Sequence, residues 1–414
     1  MRCLCANDFK LELQEIAIPE TRQIAPGSIA HGPAGALVEP DWPPLTVAET
    51  DAVLRRYPEA GGAVRLLTVS PRPFSAASVV KTPQGMFFVK RHHESVRSRA
   101  GLLEEHRLLQ YLATASWSPG RSLVEAPLAD ANGETVQTEG EWTYEVHPVA
   151  PGVDLYRKAH SWTPFESTEH AKSAGCALAH LHIALEGYDA PARAEQPLVT
   201  SWTIFSSDDP MAAMGAYLKR RPALSAYAEE RRWPDSMQEL LIPWHTKLRR
   251  FLPHLKPLWT HNDFHASNLM WGADGPDAAV TAIVDFGLSD RTNAVHDLAT
   301  AIERNAIEWL RMGDSGIVHF DHVDALLAGY ESVRPLSTME ARALPAILPL
   351  VHCEFALSET DYYLSVLQDW AKAYLGYEGY FLGHAAWFRE SQGTELLQHL
   401  ERWAHSSERE GVRE

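Results

Sequence analysis

The 414-residue sequence predicts an α+β protein in two lobes, a small antiparallel sheet with one long helix followed by a larger, mainly helical lobe. Three observations carry this. Short β-branched and aromatic runs, AVRLLTVSPRPF (63–74), ASVVKT (77–82), MFFVKRHH (86–93) and TVQTEGEWTYEVHPVA (135–150), crowd the first third around the turn signals Thr-Pro-Gln-Gly and Glu139-Gly140. A single strongly periodic segment, RAGLLEEHRLLQYLATA (99–115), interrupts them with Leu102, Leu108, Leu109 and Leu112 at helical spacing. After Pro151-Gly152 the pattern turns helical almost to the end.

Residues 1–44 are rich in Pro, Gly and Ala with weak periodicity, which predicts an extended or partly disordered arm. TVAETDAVLRRY (46–57) reads as a helix opened by Thr. The division predicted is an arm at 1–44, a small lobe at 45–147 and a helical lobe at 148–414. Helices are predicted at 167–185, at 211–232 with a break near Pro222, and at 236–252. Others follow at 296–312, at 322–333, and from about 340 to 404 with breaks at Pro345, Pro349 and Gly376.

Composition is that of an ordinary soluble domain, 45% apolar and 22% charged. Lys and Arg number 37 against 54 Asp and Glu, so the net charge of −17 argues against a nucleic-acid partner, which requires a basic surface. No apolar run approaches the eighteen or so residues of a membrane span, and MRCLCANDFK lacks a signal-peptide core. Cys3-x-Cys5 has no matching ligand cluster, and Cys176 and Cys353 sit in apolar helical patterns as buried thiols. These features predict a cytoplasmic protein in a reducing compartment.

The chemistry concentrates in THNDFHASNLM (260–270) and AIVDFGLSD (282–290). Asn268 and Asp285 offer the oxygen ligands that Mg²⁺ prefers, and Asp263, five residues before Asn268, can sit beside them facing a substrate hydroxyl. Ala282-Ile283-Val284 reads as a buried strand, and Gly287 lets the chain turn after it.

HNDFHASN followed by IVDFG resembles the catalytic loop and metal-binding segment of the aminoglycoside phosphotransferase/choline kinase family, the small-molecule branch of the protein-kinase-like fold. HDLATAI, with Asp297 opening a helix, extends the resemblance, which spans roughly residues 60–400 and is specific only over 259–300. It implies a bilobal kinase-like fold and ATP- and Mg²⁺-dependent phosphorylation of a hydroxyl on a small molecule such as an amino alcohol, homoserine, a sugar or an aminoglycoside. It also implies roles: Asp263 catalytic, Asn268 and Asp285 metal ligands, Lys90 on the nucleotide phosphates, and Glu105 (with Glu104 as competitor) paired to Lys90. The phosphate-covering loop then falls at SPRPFSAASVV, where Ser75 and Ser78 are candidate donors although the family's glycines are absent. The adenine-binding hinge falls at Glu145, Val146 and His147.

His265 reads either as a support of the loop or as a group approaching the γ-phosphate, and is a candidate substrate contact. On HCEFALSETDYYLSVLQDW, Glu354, Ser358, Asp361 and Ser365 share a stripe, making Glu354 and Asp361 candidates for the acceptor pocket against the plainer reading of a solvated face. His261 and Asp297 read as braces of the loop, Asp297 alternatively as a helix cap, and His180 and His182 as core residues. A protein kinase is the nearest alternative, but no Ala-Pro-Glu element follows Asp285. A catalytically inert nucleotide-binding scaffold is the other. Neither the acceptor nor the oligomeric state is written in the sequence.

Overall fold

The computed structural model describes residues 40–406, apart from 71, 116, 118–121 and 160. The predicted arm therefore lies mostly outside the described residues, as do Cys3 and Cys5. Its last residues differ from the expectation. Trp42 stacks on His93 with ring centroids 4.5 Å apart, and Arg91 donates to the Pro43 carbonyl. Asp41 accepts from Tyr362 Oη (3.0 Å) and Lys372 Nζ (2.6 Å) while its own N–H donates to the Pro73 carbonyl. Residues 40–43 thus tie the sheet to the helical lobe.

Helix α1 (Val47–Leu54) is opened by a Thr46–Glu49 capping box. Five antiparallel strands follow, β1 (Arg65–Leu66), β2 (Ala76–Lys81), β3 (Met86–His93), β4 (Val136–Glu139) and β5 (Trp142–Pro148), in the order β1-β2-β3-β5-β4. The first predicted strand shrinks to two residues; at Thr68 side-chain bonds replace the ladder, its Oγ1 accepting Val79 N and its carbonyl accepting Ser78 Oγ. At the β2–β3 turn Thr82 Oγ1 accepts from Gln84 N and Gly85 N (both 3.1 Å). Gly140 supplies the positive φ (+58°) that turns β4 into β5. Val53, Leu54, Tyr57, Val80, Val89, Tyr144 and Val146 form the core of this lobe.

Helix α2 (Arg99–Thr114) begins at the Ser98 cap, but Leu108, Leu109 and Leu112 belong to the core of the helical lobe. The helical lobe opens with α3 (Thr168–Leu185), α4 (Pro210–Lys219) and α5 (Pro222–Glu230), with the predicted break at Pro222 between the last two. It continues through α6 (Trp233–Ser236), a π-helical stretch (Met237–Leu241) and α7 (Ile242–Leu248). Two small antiparallel pairs interrupt: β6 (Pro257–Thr260) with β9 (Asp290–Asn293), and β7 (Leu269–Trp271) with β8 (Val280–Ile283). The segments carrying Asp263 and Asn268, and Asp285, sit on the connections between these strands.

Helix α8 (Ala294–Ala306) ends six residues earlier than predicted and is buried on every side, although it carries Asp297, Glu303, Arg304 and Asn305. A helix polar in sequence yet wholly buried marks a site rather than a solvated face. Next come α9 (Phe320–Val333), α10 (Thr338–Ile347), α11 (Cys353–Tyr362), α12 (Trp370–Tyr374), α13 (His384–Trp387) and α14 (Ser391–Ser406). Two predicted breaks are corrected. Pro345 lies inside α10, where it forgoes one backbone hydrogen bond without ending the helix, and Gly376 lies within a π-helical stretch (Leu375–Gly383). Cys353 is buried as expected, whereas Cys176 is partly exposed. Among the described residues no helix is long and apolar enough to cross a membrane.

Helices α3 and α9 approach closely at two glycines. A Cβ on Gly175 would meet the Leu326 carbonyl oxygen at 2.1 Å, and one on Gly329 the Lys172 carbonyl oxygen at 2.0 Å. Backbone cannot yield as a side-chain tip can. Gly329→Ala is therefore expected to cost about 1–3 kcal/mol through overpacking, read as a lower urea midpoint at unchanged m-value. A midpoint equal to wild type would show that the helices separate freely.

Candidate active site

The loop after β6 is held by one buried carboxylate. Asp297, in the first turn of α8, accepts from the backbone N–H of His261 (2.9 Å) and Asn262 (2.8 Å) and from His182 Nε2 (3.0 Å). The cap of α8 is Asn293, whose side chain accepts from His296 N, so Asp297 braces the loop. His182 is fixed in turn by Tyr330 Oη (2.8 Å). His261 completes the bracing: Nε2 donates to the Val284 carbonyl (3.0 Å), and Nδ1 accepts the Asp263 N–H (3.2 Å). A second strut comes from the same helix, since Asn305 accepts from Ala266 N (2.8 Å) and donates to the Phe264 carbonyl (2.9 Å).

Asn262 and Asp285 both adopt left-handed backbone, φ +62° and +61°. Such strain persists only where the surroundings over-determine it. At Asn262 they do: its side chain accepts from Thr260 and Thr292 hydroxyls and donates to the Thr200 and Leu288 carbonyls.

This scaffold sets Asp263, His265, Asn268, Asp285, Lys90 and Ser75 around one cavity of about 190 Å³ between the lobes. Asn268 Nδ2 donates to the Asp263 carbonyl (2.9 Å) and to its Oδ2 (3.2 Å), so the ligand atom Asn268 has left to offer is its side-chain oxygen. Burial opposes ionisation of Asp263, but His265 and Arg304 outweigh it and hold the carboxyl well below its ordinary range. Burial likewise opposes the Lys90 ammonium, and Asp285, Glu145 and Glu105 more than offset it. Lys90 Nζ sits 2.9 Å from Asp285 Oδ1.

Several sequence candidates fall elsewhere. Glu105 does not pair with Lys90; its carboxylate takes Arg193 Nη2 at 3.2 Å. Arg193 also reaches the Gly101 and Gly287 carbonyls and so fastens α2 to the segment after Asp285. Ser78 points away from the cavity and donates to the Thr68 and Val79 carbonyls. Glu145, Val146 and His147 lie within β5, in register with Lys90, Val89 and Phe88 of β3, and the Val146 carbonyl accepts Leu128 N (2.7 Å). Their backbone is engaged in the sheet, and the chain leaves it only after Pro148. Glu354 is buried under the loop at 201–204, accepting from Ser201 Oγ, Thr203 N and Oγ1, and Ile204 N. Asp361 caps the Ser365 hydroxyl and faces Arg221, outside the cavity.

The stripe of α11 and the following turn that does face the cavity is Phe355, Glu359 and Tyr363, one position round from the predicted one. Sequence reasoning also missed Arg72, which reaches from the phosphate-loop position to Ser267, and Arg97, which donates to the Gly287 carbonyl (2.7 Å). It missed Arg304 as well, 3.4 Å from Asp263 Oδ1 and boxed by Trp162, Phe355 and Tyr380. Arg304 stands two turns after Asp297 on one helix face, a spacing that could have disclosed it.

Glu359 is buried, and its Oε2 has no hydrogen-bond partner. Burial pushes its carboxyl up from 4.5 to about 7, against the opposing Tyr363 hydrogen bond and Arg304. Because the folded value exceeds the unfolded one, the protonated acid favours the fold fully below about pH 4.5, and that contribution is lost as pH rises through 7. Between these limits Glu359→Gln is expected to gain on wild type by up to roughly 3 kcal/mol, measured by urea unfolding across pH. Parallel pH profiles would refute the shift.

A model of the phosphotransferase enzyme family matches residues 73–336. Homoserine kinase of Caulobacter sp. strain K31 is 26% identical over 334 residues, 80% of this chain and 89% of that protein. Homoserine kinase of Gluconacetobacter diazotrophicus is 28% identical over 256 residues, 60% and 66% of the two chains. A microcompartment-associated aminopropanol kinase, at 16% identity, superposes with a TM-score of 0.52 over 84% of this chain and 99% of its own, which shows a shared protein-kinase-like fold. A family match over well over half the chain means that the chain belongs to the phosphotransferase enzyme family, as a kinase that phosphorylates a hydroxyl of a small molecule.

Proposed function

We propose that the protein transfers the terminal phosphoryl group of ATP, with Mg²⁺, to the side-chain hydroxyl of a small hydroxy-amino acid, homoserine first. The observation that carries this reading is the cavity itself, which sets the Asp263–Asn268–Asp285 triangle beside the Arg304 guanidinium and the Glu359 carboxyl, whose unpartnered Oε2 an ammonium would satisfy and whose ionisation it would favour. A zwitterionic acceptor offers a carboxylate to the one and an ammonium to the other. The homoserine kinases similar to this chain support the same class.

Asn268 and Asp285 fit a hard cation, since both present oxygen to the cavity and one is ionised. A bound Mg²⁺ would neutralise charge on the transferring phosphoryl group. Lys90 would bind phosphate oxygens, exchanging its Asp285 partner for them, and Ser75 and Arg72 would cover them from the loop between β1 and β2. Asp263 would accept a hydrogen bond from the acceptor hydroxyl. Its lowered pKa makes it an orienting group through most of the reaction, taking the proton late, as suits a loose transition state in which positioning dominates.

ADP release should be stimulated by homoserine more than by aminopropanol, choline or kanamycin. Asp263→Asn should lower kcat by roughly 10²–10⁴ while leaving Mg·ATP binding in place. Turnover with every amino alcohol but not with homoserine would refute the zwitterion reading. Failure to bind Mg·ATP at all would refute the kinase reading of these residues.

A further inference from the structure

Behind Lys90 lies a polar cluster whose part in the proposed reaction goes no further than the support Glu145 lends the ammonium charge. Glu145 on β5 is 2% exposed, and three imidazoles converge on its carboxylate. His106 Nε2 of α2 is 3.0 Å from Oε2, His147 Nε2 of β5 is 2.8 Å from the same oxygen, and His92 Nε2 of β3 is 2.9 Å from Oε1. The ligand atoms of His106, Glu145 and His147 all lie within 4.8 Å of one another.

We infer that His106, His147 and Glu145 bind a zinc ion, with water as the fourth ligand. Two imidazoles and a carboxylate are a donor set zinc takes, at about 2.0–2.2 Å from each donor, which separates neighbouring donors by roughly 3.3 Å. The two nitrogen–oxygen separations at Oε2 need open only by a few tenths of an ångström. The surroundings have the form of a second shell. The other ring nitrogen of His106 is held by Thr135 Oγ1 at 2.8 Å, and His92 holds the carboxylate oxygen that the ion would not take. His147 is the partly exposed member and gives the ion a way in.

The site has structural reach. Glu145 is in register with Lys90, and His106 follows Glu105 on α2. Glu105 being taken by Arg193, the side-chain link between α2 and the sheet beside Lys90 runs through His106 and Glu145. An ion there would clamp α2 to β5, the strand paired in register with Lys90 of β3.

The test is zinc content by mass spectrometry of untagged full-length protein, stripped with chelator, incubated with zinc chloride and desalted into Mg²⁺ buffer. Stoichiometric zinc is expected in wild type and in Asp285→Asn, whose change lies in the active-site cavity, with loss in His106→Gln and in His147→Asn. His147 lies at the rim, so that variant stays informative if His106→Gln misfolds. Zinc should also raise the melting temperature of stripped wild type and not that of His147→Asn. Wild type that retains no zinc, or zinc lost in Asp285→Asn but kept in His147→Asn, would overturn the assignment.

Discussion

The Asp297 carboxylate is the contact on which the rest of the site depends. It is wholly buried in the first turn of α8 and spends its oxygens on two consecutive backbone N–H groups of the catalytic loop and on His182. Those two N–H groups belong to a turn in which Asn262 has a left-handed backbone, a conformation that needs outside support. Burial disfavours the charge on Asp297, and the His182 hydrogen bond with the loop's N–H groups more than compensates. The helix thus works as a bracket, gripping the loop with Asp297 and Asn305 and reaching past it with Arg304 to Asp263. This is why α8 can be polar in sequence and buried all round.

The close α3–α9 packing belongs to the same argument. His182 stands on α3, and the hydroxyl that orients it, Tyr330, stands on α9. Gly175 and Gly329 let the two backbones approach until His182 and Tyr330 meet, so a glycine contact remote from the cavity helps set the position of Asp263.

How much of this the sequence disclosed follows how local each feature is. The hairpin at Thr82–Gly85, the helix break at Pro222 and the Asp263, Asn268 and Asp285 cluster depend on residues close in the chain, and they were legible. Glu105 was not, because its partner Arg193 lies 88 residues away in a segment with no periodic pattern. Glu354 and Glu359 show the finer limit. Both are carboxylates on one helix in an apolar setting, and five residues separate a buried loop anchor from a cavity wall. Only the rotation of α11 against the 201–204 loop decides between them, and no local rule fixes that rotation. Ser78 fails similarly: on a strand the face alternates at every residue, and Ser75, still in the loop, turns to the cavity while Ser78 turns to Thr68.

The exchange of partners around Lys90 gives the small lobe its own logic. With Glu105 on Arg193, the nearest anion to the lysine is Asp285, the residue proposed to hold the metal. Arg193 and Arg97 both donate to the Gly287 carbonyl, so the segment after Asp285 is pinned to α2 and to the loop before it. Lys90 and Asp285 therefore hold each other, neutralising two charges that would otherwise be costly at a half-buried site. In the proposed reaction, phosphates arriving with a divalent cation would supply each of them with a replacement, anionic oxygen for the lysine and metal for the aspartate. Either ligand alone would satisfy one and strand the other. On the proposed reading, nucleotide and metal would bind in concert through this ion pair, with no movement of α2, which Arg193 already fastens.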